Sequence, residues 1–279
     1  MKRVLSVFLL FALLSAGVSA GEWKLVWSDE FDYEGLPDPK KWDYEEGFVR
    51  NNEMQYYTRA RLQNARVENG VLVIEGLKEP FRNLRYKSGS KAWQEQPEFA
   101  SYTAASLITL NKSSFQYGRI EVKAKLPQGK GVWPAIWMLG TNMSDVGWPR
   151  CGEIDIMEFV GKDPNRIHGT VHYAIDGRHG ADGGKLKTDK SFSGFHVYAI
   201  EWFEDRIDFF FDQTQYHTFI VDKAGADNPF CKPQYLLVNL ALGGSWGGDI
   251  DDEILPQKFL IDYVRVYELD KGKPKRIRN

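Results

Sequence analysis

Residues 152–161 read Gly152-Glu153-Ile154-Asp155-Ile156-Met157-Glu158-Phe159-Val160-Gly161, and the fold turns on how that run is taken. β-Branched Ile154, Ile156 and Val160, a short length and bounding glycines argue for a strand rather than a helix. Three carboxylates in so apolar a run are costly to desolvate and need a task. Side chains alternate along a strand, so Glu153 and Asp155 share a face while Glu158 points away. One extra residue around Met157, taken up as a β-bulge, turns Glu158 back, and all three acids then line one face.

The spacing suggests a chemistry. With the bulge absorbed, the outer glutamates stand about four strand steps apart, roughly 13 Å between Cα atoms. Side chains reaching inward by about 3.5–4 Å each leave roughly 5–6 Å between carboxyl groups, near the ~5–5.5 Å of a retaining glycosidase and below the inverting range. A charged, exposed strand face and a carboxylate metal site are the competing readings of the same acids.

Outward from this run the chain reads as short strands separated by turn residues. The clearest are Val71–Glu75, Gly118–Leu126, Phe195–Trp202, Ile207–Asp212, Tyr235–Leu242 and Ile261–Tyr267. Residues 119–126 and 263–267 alternate polar or charged with apolar side chains, as half-buried antiparallel strands do. There is no long amphipathic helix, internal repeat or linker, so the expectation is all-β: an antiparallel sandwich in one domain, 21–270. Lys78 to Pro97 and the glycine-rich Asp176 to Lys190 read as loops, either cleft rims or surface insertions.

Residues 1–20 read as a signal peptide: Lys2 and Arg3, an apolar core from Val4 to Leu14, and Val18-Ser19-Ala20 before a cut after Ala20. The expectation is a secreted or periplasmic protein with no membrane span after cleavage. A formal charge of −2 does not advertise nucleic acid, and the basic tail, 271–279, reads as a solvated terminus. The two cysteines, Cys151 and Cys231, are either a disulfide or two small buried thiols. A monomer is expected.

Nine tryptophans and 14% aromatic content are high for a soluble domain. Sugar rings lay apolar C–H faces on indoles while their hydroxyls need polar partners, so tryptophans beside carboxylates suit a polysaccharide. Trp133 and Trp137, four apart just before the acidic run, are candidates to face one side; Trp23, Trp27, Trp42 and Trp202 are candidates for the core. His168 and His172 fall on the next strand, where His172 is placed to meet the aspartate or a substrate hydroxyl. Their i, i+4 spacing suits zinc only on a helix.

Together these residues resemble glycoside hydrolase family 16, in particular its bacterial laminarinase-like endo-β-1,3-glucanases. The resemblance runs from Leu25-Val26-Trp27-Ser28-Asp29-Glu30-Phe31-Asp32 to Ile261-Asp262-Tyr263-Val264-Arg265-Val266-Tyr267. Between these lie Asn51-Asn52-Glu53, Trp133 to Met138, Glu153 to Glu158, Gly169 to His172 and Asn239 to Gly244. It implies a concanavalin A-like β-jelly roll with the substrate cleft on its concave sheet. Carried over residue by residue, it makes Glu153 the nucleophile, Glu158 the general acid/base and Asp155 the residue that tunes Glu153. It places Asn51, Trp133, Trp137, His172 and Trp246 along the sugar subsites. It further implies a structural calcium at Glu30, the carbonyl of Gly70 and Asp262, with no cofactor needed for the chemistry.

The match departs at Tyr102-Thr103-Ala104-Ala105-Ser106, where many relatives carry Thr-Ser-Gly followed by arginine or lysine. That bears on substrate preference, not on reaction class. The function expected is a secreted retaining endo-β-1,3-glucanase acting on β-glucan. The alternatives are a mixed-linkage glucanase, an enzyme for a marine galactan such as agarose, a transglycosylase, or a non-catalytic glucan-binding protein on the same sandwich.

Overall fold

Alternating sequence makes one-sided strands, and in the computed structural model these pack as two sheets; the structure describes residues 21–188, 192 and 194–270. The signal peptide and basic tail expected from sequence lie outside the described residues. In chain order the first strands are β1 Glu22–Asp29, β2 Asp43–Tyr44, β3 Gln55–Tyr57, β4 Ala65–Glu68, β5 Val71–Arg82, β6 Phe99–Ala104 and β7 Ser106–Ile108. They are followed by β8 Gly118–Lys125, β9 Val132–Gly140, β10 Glu153–Glu158, β11 Arg166–Ile175 and β12 Arg178–Lys187. The last are β13 His196–Trp202, β14 Arg206–Phe211, β15 Thr214–Ile220, β16 Gln234–Leu242 and β17 Gln257–Asp270.

One sheet runs β15-β14-β13-β8-β17-β5-β6-β3, with β1 on β17 and β4 on β5; the other runs β12-β11-β10-β9-β16-β7-β2. All pairings are antiparallel except β3 with β6, so this is the expected sandwich. The core lies between the sheets. Ile120, Val122 and Ala124 of β8, Leu72 and Ile74 of β5 and Val264 of β17 join Ile136 and Met138 of β9, Ile154 of β10 and Leu236, Val238 and Leu240 of β16. Each large side chain so buried contributes about 1.5–3 kcal/mol. On β8 the intervening charges pair among themselves, Arg119 with Glu121 at 2.9 Å.

Several expectations are corrected. Residues 178–187 of the segment expected as a loop are strand instead: β12 pairs with β11 over ten positions through the two-residue turn Asp176-Gly177, both at positive φ. Such a turn matches strand twist, so the Asp-Gly pair was the hairpin signal that the glycine content obscured. Glycine in β12 has a packing reason: a Cβ on Gly184 would meet His217 Cβ at 2.4 Å. Within 78–97, β5 continues to Arg82, and the remaining loop is tied by buried Asn83, whose Nδ2 donates to the Gln94 and Pro97 carbonyls at 2.9 Å. Trp42 and Trp202 are core residues, but Trp23 and Trp27 are only half-buried, because β1 lies against one neighbour, β17. Both cysteines are free thiols, and Cys231 is exposed rather than buried, its Sγ donating to the Asn228 carbonyl at 3.0 Å. Among the described residues no helix is long and apolar enough to cross a membrane.

Candidate active site

The bulge in the acidic strand falls where expected, at Ile156 and Met157. On β9, Asp155 faces Trp137 and Met157 faces Ile136, leaving Ile156 unpartnered; on β11, Asp155 faces Thr170 and Glu158 faces His168. Ile156 and Met157 are both fully buried in the core, and Glu153, Asp155 and Glu158 therefore emerge on the opposite face. Gly169 sits across from the bulge because nothing larger fits: a Cβ there would lie 2.4 Å from Tyr216 Oη and 2.7 Å from Phe209 Cδ1.

Each glutamate receives an indole N–H. Trp148 Nε1 donates to Glu153 Oε2 at 2.8 Å, and Trp133 Nε1 donates to Glu158 Oε1 at 3.1 Å. Burial, and then the charges of Asp155 and Glu153, push the Glu158 carboxyl well above the ordinary carboxylate range. Asp155 is also pushed well up, by burial, by the Glu153 charge and by a hydrogen bond with Glu153. His172 Nε2 lies 3.2 Å from Asp155 Oδ2 and 4.0 Å from Glu153 Oε1, close but not aligned as a hydrogen bond to Asp155. Its Nδ1 is 2.9 Å from Nε2 of His179.

The five expected sugar-binding residues all border the cleft around these acids: Asn51, Trp133, Trp137, His172 and Trp246. Trp137 is not an open platform, however. It is 6% exposed, its Nε1 donates to Asn239 Oδ1 at 2.8 Å, and the Arg50 guanidinium lies 4.8 Å over its ring. Sequence reasoning gave no role to Trp148, His179, Arg50 or Glu53. Arg50 pairs with Glu45, which also accepts from Ser106 Oγ at 2.7 Å, so the departure at 102–106 is tied to the cleft through this pair. Buried Glu53 accepts from Asn51, Gln55 and Tyr57, and burial raises its carboxyl above the usual range. Adjacency to Asn51 was the available signal for both; Trp148 lay five residues before Glu153.

Ligand atoms of Glu153, Asp155 and His172 lie within 4.8 Å of one another, close enough for a cation. Around the expected calcium position, Asp29 faces Val264, Leu72 faces Ile261, and Asp262 is the residue bulged out of β17. Gly70 is the second residue of the adjoining Asn69-Gly70 turn. The side chains are turned elsewhere, Glu30 to Arg265 at 2.8 Å and Asp262 to Lys123 at 2.6 Å. Exposed pairs of this kind hold by only about 0–1 kcal/mol, so they are a weak barrier to a cation.

The profile for glycosyl hydrolases family 16 matches residues 50–265. Over 280 aligned residues the chain is 44% identical to a beta-glucanase of Rhodothermus marinus, covering 95% of this chain and 92% of the relative. The crystal structure of the laminarinase from Rhodothermus marinus superposes with a TM-score of 0.78 at 43% identity, over 89% of this chain and 98% of that one. A structure reported with endo-acting O-glycanases that human gut bacteria use to initiate mucin breakdown gives a TM-score of 0.83 at 40% identity, over 89% and 92%.

Proposed function

The chain belongs to glycosyl hydrolases family 16, and on that footing we propose that it is a secreted retaining endo-β-1,3-glucanase. The observation that carries the chemistry is the bulged strand, which sets an ionisable Glu153 and a proton-holding Glu158 on one face with Asp155 between them. Glu158 protonates the departing glycosidic oxygen while Glu153 attacks the anomeric carbon. Asp155 hydrogen-bonds to the Glu153 side chain, and the Trp148 indole donates to Glu153 Oε2. Glu158, left ionised by the first step, then takes a proton from water as the water oxygen attacks the anomeric carbon and the ester bond to Glu153 breaks, which restores the Glu153 carboxylate and releases the sugar with retained configuration. Export rests on residues 1–20, and a structural calcium rests on the register of Glu30, Gly70 and Asp262.

The substrate reading is supported by the resemblance to the glucanases named above. Its test is the product set released by the purified mature protein from laminarin, mixed-linkage β-glucan and agarose. A ladder of β-1,3-oligosaccharides with little from agarose is expected. Agarose cleavage with laminarin untouched would keep the acids and overturn the substrate. Products longer than the starting oligosaccharide at high concentration would turn the reading to transglycosylation.

A further inference from the structure

The two arms of the cleft differ in charge. Toward β16 and β7 the lining includes Glu45 and Glu53 with Arg50 between them. Toward β12 it includes Lys162, Arg166, His168, Lys185 and Trp246. Register explains how this basic arm is built: His168 faces Lys185 and Arg166 faces Lys187, and partners across antiparallel strands share a face. Arg166 is balanced by Asp163 at 2.8 Å, whereas Lys162 and Lys185 have no carboxylate partner among the described residues.

Two bland explanations fall short. Lysines on an edge strand discourage pairing with other chains, and β12 is an edge; but Lys162 comes from the segment after β10, its Cδ lying 3.9 Å from the Cβ position of Gly248. Nor do these cations bond the catalytic glutamates, whose hydrogen-bond donors are the indoles of Trp133 and Trp148. A third observation points to a ligand. His168 is 8% exposed, packs edge-on to Trp246 at 4.9 Å, borders this arm, and its Nε2 has no hydrogen-bond partner. A buried ring nitrogen left unpaired is costly unless something arrives to meet it. Burial and the nearby Lys185 keep that ring neutral, able to donate from Nε2 in one tautomer.

We propose that the arm of the cleft between Glu158 and β12 is a subsite for an anionic substituent on the glycan, a sulfate ester or a carboxylate. Lys162 and Lys185 supply the charge, His168 Nε2 the hydrogen bond, and Trp246 the apolar floor. The proposal rests on the β-glucan reading and adds a preference for substituted chains.

The experiment compares curdlan-derived β-1,3-oligosaccharides with lightly sulfated and carboxymethylated forms, as ligands of Glu153→Gln at low salt and as substrates of the wild type. Two or three exposed charge pairs give a substituted chain an advantage of about tenfold in Kd. That advantage should fall away in high salt and in Glu153→Gln carrying Lys162→Gln and Lys185→Gln, while Lys24→Gln on β1 keeps it. His168→Phe, which retains the ring against Trp246, should lose part of it. Sulfate favoured over carboxymethyl, or the reverse, identifies the group. Equal affinity for neutral and substituted chains, or an advantage that survives the double lysine change, overturns the subsite. Wild-type enzyme that leaves neutral chains uncut sinks the glucan reading instead, so the two failures are distinguishable.

Discussion

Trp133 Nε1 donates to Glu158 Oε1 at 3.1 Å, so one tryptophan both borders the sugar site and steadies the ionised form of the acid/base. The bond pulls the Glu158 carboxyl down against burial and its acidic neighbours, which push it up.

Trp133→Phe keeps an aromatic ring and deletes the donor. The Glu158 carboxyl should rise further, and the basic limb of the kcat/KM profile should move to higher pH. A profile that is lower but unshifted would mean that Trp133 acts on sugar alone.

Glu153→Gln and Glu158→Gln should each remove most turnover on laminarin while leaving the fold intact. Near wild-type rates would take that residue out of the mechanism. Stability separates the two roles further. The folded Glu158 carboxyl titrates above its ordinary 4.5, so the protonated form is the one the fold favours. Its contribution is full below that value and is lost as pH rises through the folded pKa. Glu158→Gln should therefore melt above wild type at neutral pH and level with it in acid; equal melting at both would contradict the burial argument.

Trp148→Phe removes a charge-assisted bond of 2.8 Å to Glu153. Such bonds contribute about 1.5–3 kcal/mol, so kcat should fall by roughly 10–100-fold. An unchanged kcat with a raised KM would reassign Trp148 to sugar binding.

Gly169→Ala should destabilise the fold by about 1–3 kcal/mol in urea, since the new methyl meets Tyr216 Oη at 2.4 Å. Adding Tyr216→Phe should recover part of the loss, Phe209 still being close. No recovery would place the strain elsewhere at the bulge.

Calcium at a hundred times its Kd should raise Tm by roughly 5–10 °C over chelated protein, and Glu30→Gln should blunt the rise. Identical melting with calcium and with chelator would leave the Glu30–Arg265 and Asp262–Lys123 pairs as that edge's own solution.

Much of this molecule is legible in its sequence because period-2 alternation is a local signal. Arg119 to Leu126, Tyr263 to Tyr267 and the acidic run show their strands directly, and three acids that must share a face require a bulge. Local patterning fails where packing overrides propensity. β12 hid behind glycines that exist because His217 and Thr170 crowd the sheet there, and Trp23 and Trp27 carried a core residue's identity onto a strand with one neighbour.

Residue type and order thus determined the sandwich, the acidic triad and the family to which it belongs. Tertiary structure alone decided which indole holds which glutamate, that Arg50 covers Trp137, and that His168, Lys162 and Lys185 meet in one arm of the cleft. The reason is physical: alternation and bulge are set by neighbours along the chain. Hydrogen bonds, desolvation and charge depend on side chains that sequence separates and strand register brings together.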